Sequence, residues 1–204
     1  VTEHASRLHS HWAARPWAPG ETRLHWYLLP ALEVPVRAAV ADLQARLARP
    51  GLDLVPPEWL HATIRSLRPV PDEHRDAMVD AVRAAVAATG IGPITATAAP
   101  LVVDEAVVWA LRGDAPEPDA IERLHTAVTT AVGPWRRTAA DAPFRPHVTV
   151  AYAAADLDGD ALRTAMGIPD PVTVRFDALH LLEVRQDGGA YRWEPSARLP
   201  LPGP

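Results

Sequence analysis

The sequence predicts an α+β fold, and three observations carry the prediction. Stretches with period-two alternation, such as Arg23 to Leu29 and Val172 to Arg185, stand between stretches whose apolar residues recur at helical spacing. Turn signals such as Asp187-Gly188-Gly189 separate neighbouring strand-like runs and make hairpins, and so antiparallel pairing, the expected connection. A strand-like triplet, His-x-Thr, occurs at His61-Ala62-Thr63 and again far downstream at His147-Val148-Thr149.

Residues 1 to 22 are rich in His, Trp, Pro and Gly with no sustained period, so they form an extended segment laid over the fold and anchored by Trp12 and Trp17. Either indole could stack on a base in a cleft, although plain packing explains them as well. The remaining residues, 23 to 204, make one domain. In the strand from Arg23 to Leu29, His25 and Tyr27 share one face and Leu24, Trp26 and Leu28 the other, so an apolar set turned to the core leaves Tyr27 or His25 facing a cleft. Val36, Val40, Leu43 and Leu47 define a helix from about Val34 to Ala48 that Pro50-Gly51 ends. A strand follows from Trp59 to Leu67. Pro71-Asp72-Glu73 starts a second helix, carried by Met78, Val82 and Val86 to Gly90.

Two strands, Ile94 to Ala98 and Ala106 to Leu111, are expected to pair antiparallel through Val102, Val103 and Asp104. A third helix runs from about Pro118 to Val132 on Ile121, Leu124 and Val128, and stops at Gly133-Pro134. The loop after it holds Trp135, Arg136 and Arg137, a small positive cluster suited to guiding an RNA end or to no special task. The second His-x-Thr strand comes next, with a short helix near Asp158 to Met166 beyond it. A closing hairpin pairs Val172 to Arg185 with Tyr191 to Trp193.

The composition bounds the function. At 204 residues and 48% hydrophobic, the chain can bury a substantial core. A net charge of -5 excludes a general nucleic-acid coat, which relies on many basic contacts to phosphate, so any RNA recognition must be local. No cysteine is present, which removes disulfides and thiolate metal sites. No apolar run reaches the length of a membrane span, and a cytoplasmic monomer without membrane contact is expected. All fixed positive charge is arginine.

The doubled triplet carries the chemistry. Alternation puts His61 and Thr63 on one face with Leu60, Ala62 and Ile64 behind, and repeats this for His147 and Thr149 with Val148 and Val150 behind. An imidazole titrating near neutrality beside a hydroxyl is a minimal unit for acid/base work on phosphate, and two facing units supply both proton acceptor and proton donor. Among nine histidines roughly one His-x-Ser/Thr triplet is expected by chance, and His4-Ala5-Ser6 is that kind of coincidence. By the same parity Arg65 shares a face with Thr63, where it would touch phosphate or salt-bridge at a rim. Arg145, two positions before His147, is a stronger candidate for substrate contact, with Pro146 a possible local bend. Tyr152 follows the core-side parity of Val148 and Val150 and is assigned chiefly to packing, with lining the cleft as the alternative.

With Trp59-Leu60-His61-Ala62-Thr63-Ile64 and Phe144-Arg145-Pro146-His147-Val148-Thr149-Val150-Ala151-Tyr152, the chain resembles the 2H phosphoesterases, in particular the 2'-5' RNA ligase-like or RNA 2',3'-cyclic phosphodiesterase group. The order of strands and helices from about Arg23 onward is also similar. His11-Trp12 and Arg15-Pro16-Trp17 loosely match a feature that precedes the first strand in some bacterial members. The resemblance implies a two-lobed fold, two antiparallel sheets around a central cleft with helices outside, the lobes interleaved along the chain and related by a pseudo-twofold. It implies His61 and His147 as the acid/base pair, Thr63 and Thr149 as phosphate-holding hydroxyls, and no metal or other cofactor. Tyr27, Arg65, Arg145 and Tyr152 complete the candidate substrate-binding set.

The expected activity is metal-independent hydrolysis of 2',3'-cyclic phosphate RNA ends or related small nucleotides, with 2'-5' ligation as the reverse. Which histidine is acid and which base is not readable from symmetric motifs. Two alternatives stand beside it: a metal hydrolase with His61 and His147 as ligands, disfavoured because threonine rather than a carboxylate follows each, and a non-catalytic nucleotide- or RNA-binding protein of the same fold.

Overall fold

A computed structural model describes residues 4–67, 70–135 and 143–201; the Arg136 and Arg137 cluster lies outside the described residues. In chain order the elements are β1 (Arg7–Leu8), α1 (His11–Ala14), β2 (Thr22–Leu28), α2 (Val34–Leu47), β3 (Leu52–Leu54) and β4 (Ala62–Ser66). Then come α3 (Asp72–Thr89), β5 (Ile94–Val103), β6 (Ala106–Gly113), α4 (Ala120–Ala131), β7 (His147–Ala153) and β8 (Leu157–Asp158). The chain continues through α5 (Gly159–Met166), β9 (Val172–Phe176), β10 (Ala178–Asp187) and β11 (Ala190–Pro200).

Two antiparallel sheets organise the molecule. One has the order β11-β10-β2-β4, the other β3-β7-β6-β5-β9, and a two-stranded ribbon joins β1 to β8. Helix α4 packs against β4 and against α3, while α2 lies on β7 and β9 and α5 on β5. Each sheet therefore carries its own helices, and the two meet where β4 lies against β7. This is the α+β, two-sheet arrangement expected from the sequence. The sheets draw their strands from alternating parts of the chain, so no single cut separates them.

The apolar periodicities place the core. Val36, Val40, Leu43 and Leu47 of α2 are buried, as are Met78, Val82 and Val86 of α3 and Ile121, Leu124 and Val128 of α4. Acidic Asp72 and Glu73 occupy the first turn of α3, where they complement the helix dipole, and Gly90 ends it with a φ of +67°. On β2, Leu24, Trp26 and Leu28 enter the main core, while Tyr27 joins a second cluster with Leu182, Val184 and Trp193. No helix among the described residues is long and apolar enough to cross a membrane.

Three expectations need correction. Trp59 belongs to a 3-10 turn, Pro57–Trp59, and the strand that follows begins at Ala62, because the prolines at 56 and 57 hold the chain out of a ladder. The run from Val172 to Arg185 is two strands in different sheets. Its alternation breaks at Ala178 and Leu179, which are both buried, and the chain changes sheet there. The N-terminal segment is not wholly extended: it contributes β1 and one turn of helix, with Ser10 Oγ accepting from Ala13 N at 3.4 Å.

Two histidines are buried with the strands, His25 and His61, 7% and 6% exposed. Burial holds the His25 ring down to about 3 and the His61 ring down to about 4, from an ordinary value of 6.5. Between those values and 6.5 the unfolded chain binds more protons than the folded one, so stability rises with pH across that window and is lost as pH falls through it. The urea midpoint is expected to stay level above about pH 7 and to fall steeply from about pH 6.5 to 4. His25→Phe should remove part of that slope, and a parent midpoint that stayed level down to pH 4 would show that the rings charge without cost.

Candidate active site

Each His-x-Thr segment enters its sheet with the imidazole held by its own backbone. The His61 Nδ1–H donates to the Trp59 carbonyl at 2.9 Å, and the His147 Nδ1–H donates to the Arg145 carbonyl at 2.8 Å. A carbonyl only accepts, so both rings have Nδ1 protonated when neutral and keep Nε2 as the nitrogen with a lone pair. The 3-10 turn presents the first carbonyl. The second is presented by a straight approach: Pro146 does not bend the chain away, because its own carbonyl accepts from Leu111 N at 3.0 Å and keeps it in line with β6.

A second shared feature follows each threonine. Along β4, Thr63 pairs with Tyr27 and Arg65 with Trp26, which leaves Ile64 as an extra residue. Along β7, Thr149 pairs with Val108 and Ala151 with Val107, which leaves Val150 as the extra one. Both are β-bulges, and each shifts the parity of everything beyond it by one. The Val150 carbonyl accepts from Val55 N at 3.0 Å and from Gln44 Nε2 at 3.1 Å.

The bulges overturn two parity arguments. Tyr152 pairs with Ala106, two positions along β6 from the partner of Thr149 and four from that of His147, so it shares their face rather than that of Val148. Arg65, in contrast, is register-matched to Trp26 of the core face and is buried to 7% exposure, out of line with Thr63. Arg145 is exposed beside His147.

Aromatic side chains surround the first histidine. Tyr27 stacks on His61 with centroids 4.1 Å apart and planes 14° from parallel, and Trp193 meets the same ring edge-on at 5.2 Å. The Thr63 hydroxyl lies beside the Tyr27 phenol and the Thr149 hydroxyl beside that of Tyr152; burial pushes both phenols well up, so both remain protonated. The His61 ring is neutral near pH 7, chiefly through burial, with a smaller lowering from His147; the segments that carry the two rings meet where β4 lies against β7. His147 itself is exposed. The two sheets thus contribute one imidazole and one threonine each, in unequal surroundings.

Several neighbours of the site have partners that the sequence does not reveal, although Trp12, Trp17 and the His11-Trp12 pair stand out in it. Trp193 was expected only as a strand residue, and Tyr191 only as its neighbour. His11 is buried at 7% exposure, with Nδ1 2.9 Å from Glu105 Oε2 and Nε2 2.8 Å from the Tyr191 phenol oxygen. Trp12 donates through Nε1 to Asp53 Oδ2 at 2.7 Å and packs on Tyr152 at 5.0 Å. Trp17 lies 5.5 Å from Tyr191, with the Arg23 guanidinium 4.1 Å from its ring centre. None of these long-range pairs has a spacing signal. Among the described residues, no group of three or more His, Cys, Asp or Glu is placed to hold a metal ion.

Comparison with known proteins agrees with this architecture. Two crystal structures superpose with a TM-score of 0.64 at 20% identity, covering 89% of this chain and 98% of theirs: TT0787 of Thermus thermophilus, and E. coli LigT complexed with 3'-AMP. At that identity the likeness concerns the fold. No curated protein matches the chain in sequence. The sequence profile described as the 2'-5' RNA ligase superfamily matches residues 32–188, a span that contains both His-x-Thr triplets. This chain therefore belongs to the 2'-5' RNA ligase superfamily, and with it to the two-histidine phosphoesterases that its sequence resembles.

Proposed function

We propose that this protein is a metal-independent phosphodiesterase that opens 2',3'-cyclic phosphates at RNA ends or on related small nucleotides. The observation that carries the reading is the matched pair of imidazoles, one from each sheet, with Nδ1 committed to a carbonyl and Nε2 left for proton transfer. Structures of E. coli LigT complexed with 3'-AMP, phosphate, NADP+ and ATP support a nucleotide-sized ligand for a cleft of this fold.

The unequal surroundings support an assignment of the roles. A ring held near 4 carries no proton to give at neutral pH, so His61 is the base: its Nε2 takes a proton from water as the water oxygen attacks phosphorus. His147, open to solvent, delivers a proton from Nε2 to the departing ribose oxygen as its P–O bond breaks, and a phosphomonoester results. Thr63 and Thr149 donate to the non-bridging oxygens, where charge accumulates. Arg145, exposed next to His147, is placed to pair with the phosphate or its neighbour. Tyr27 backs the His61 ring and Tyr152 lines the opposite side. With an RNA hydroxyl in the place of water, the same steps join ends: its oxygen bonds to phosphorus as the ribose oxygen departs with the proton from His147.

His61→Ala and His147→Ala are each expected to lower turnover of a cyclic phosphate by about 10²–10⁴-fold with the fold retained, as read by product formation and circular dichroism. Thr63→Ala or Thr149→Ala should cost about 10²-fold in kcat. Parent activity should persist in excess chelator; its loss, with recovery on adding one metal, would favour a metal hydrolase instead.

The pH profile tests the assignment separately. Because kcat/KM reports ionisations of the free protein, its acid limb is expected near 4, where His61 gains a proton. An acid limb near 6.5 that His147→Gln alone abolished would reverse the two roles.

A further inference from the structure

The N-terminal segment brings a third histidine to the edge of the cleft, and its hydrogen bonds are fully determined. The Glu105 carboxylate also accepts from Arg15 Nε at 2.6 Å and, with the guanidinium and His11 beside it, stays ionised, its carboxyl held below the ordinary value against the opposing effect of burial. A carboxylate only accepts, so His11 Nδ1–H donates to it, and because burial lowers the ring below its ordinary value the neutral form prevails near pH 7, with the lone pair on Nε2. The Tyr191 O–H must then donate to His11 Nε2 across 2.8 Å. Burial keeps His11 neutral and Tyr191 protonated, which agrees with that direction.

The chain of bonds runs from one sheet to the other. Glu105 lies in the turn between β5 and β6, Tyr191 on β11, and His11 on α1 between them. Its far end reaches the catalytic groups: the Tyr191 ring is 6.4 Å from His61 and 5.5 Å from Tyr152, and the His11 ring lies 4.5 Å from Tyr152. With its proton committed to His11, the phenol oxygen presents lone pairs, approached by Gln186 Nε2 at a long 3.4 Å. An oxygen so arranged accepts a hydrogen bond and rejects an anion.

We propose that Tyr191 is a substrate-binding residue of the cleft that accepts a hydrogen bond from the nucleoside next to the phosphate, a sugar hydroxyl or a base amino group, and that His11 and Glu105 are the residues that position it. The proposal rests on the phosphodiesterase reading for the identity of the ligand. It makes residues 11 to 15 part of the working site, and it divides recognition into two parts: the phosphate at the two His-x-Thr units, and the nucleoside at Tyr191.

Calorimetric titration with 3'-AMP and with inorganic phosphate tests that division. The parent should bind 3'-AMP more tightly than phosphate. Tyr191→Phe, which keeps the ring and its packing, should weaken 3'-AMP by about 3- to 10-fold and leave phosphate unchanged. His11→Leu should give the same split, and His11→Gln should restore the parent pattern, because an amide can donate to Glu105 and accept from Tyr191 at once. A Tyr191→Phe protein that loses affinity for both ligands equally, or for neither, overturns the proposal, as does a His11→Gln protein no better than His11→Leu. If His11→Leu fails to fold, the Tyr191→Phe comparison decides alone. Failure of the catalytic reading looks different: His61→Ala or His147→Ala would retain turnover while the Tyr191 split stood. A parent that bound neither ligand would overturn both.

Discussion

One hydrogen bond, made twice, underlies the site: an imidazole Nδ1–H donating to the carbonyl two residues earlier, at His61 and again at His147. It fixes the tautomer of the neutral ring, so Nε2 is the nitrogen with a lone pair in both, without help from a buried carboxylate. It also fixes ring orientation from within the segment. A site made this way needs only that two such segments be brought edge to edge, which the contact of β4 with β7 does. What the bond leaves undetermined is charge, and that is set by burial. The Tyr27 ring stacked on His61 and the Trp193 edge against it exclude water from one imidazole, while the other stays open. Two equal motifs become chemically unequal through their neighbours alone.

The bulges at Ile64 and Val150 are the second constraint. Without the one in β7, Tyr152 would share the face of Val148, and Thr149 would lose the phenol beside it and His11 and Trp12 the ring on which they rest. Without the one in β4, Arg65 would join Thr63 instead of lying opposite Trp26. An inserted residue costs ladder hydrogen bonds. On β7 that cost is offset on the other side of the strand, where Gln44 and Val55 both donate to the Val150 carbonyl.

Much of this was legible in the sequence. Helix periodicity located α2, α3 and α4 to within two residues of their observed ends, and the two triplets, with the resemblance they carry, pointed to the family before any coordinates. The alternation in β2 correctly separated Tyr27 from Trp26. Reading failed where it assumed unbroken parity. A bulge has no residue signature here, since Ile64 and Val150 are ordinary strand residues, so parity puts Tyr152 and Arg65 on the wrong faces, although Tyr152 does pack, at 5% exposure. The change of sheet at Asp177 did leave a mark, the adjacent apolar pair Ala178 and Leu179, but a mark that also fits a fully buried strand. The bonds of His11 to Glu105 and to Tyr191 join residues 94 and 180 positions apart, and no local pattern encodes such meetings.

The interleaving of the sheets governs how the protein comes into being. Strand β2 is made early, yet its partner β10 is made after every strand of the other sheet, and β10 must be laid between β2 and β11 before Tyr27 has walls around it. Until β10 is made, β2 and β4 have only each other to pair with in their sheet, the kind of long-range closure that topology makes slow. A chain that ends before β10 therefore lacks both Trp193 and the strand that brings it to β2, and in it the water-excluded environment of the first imidazole is never assembled.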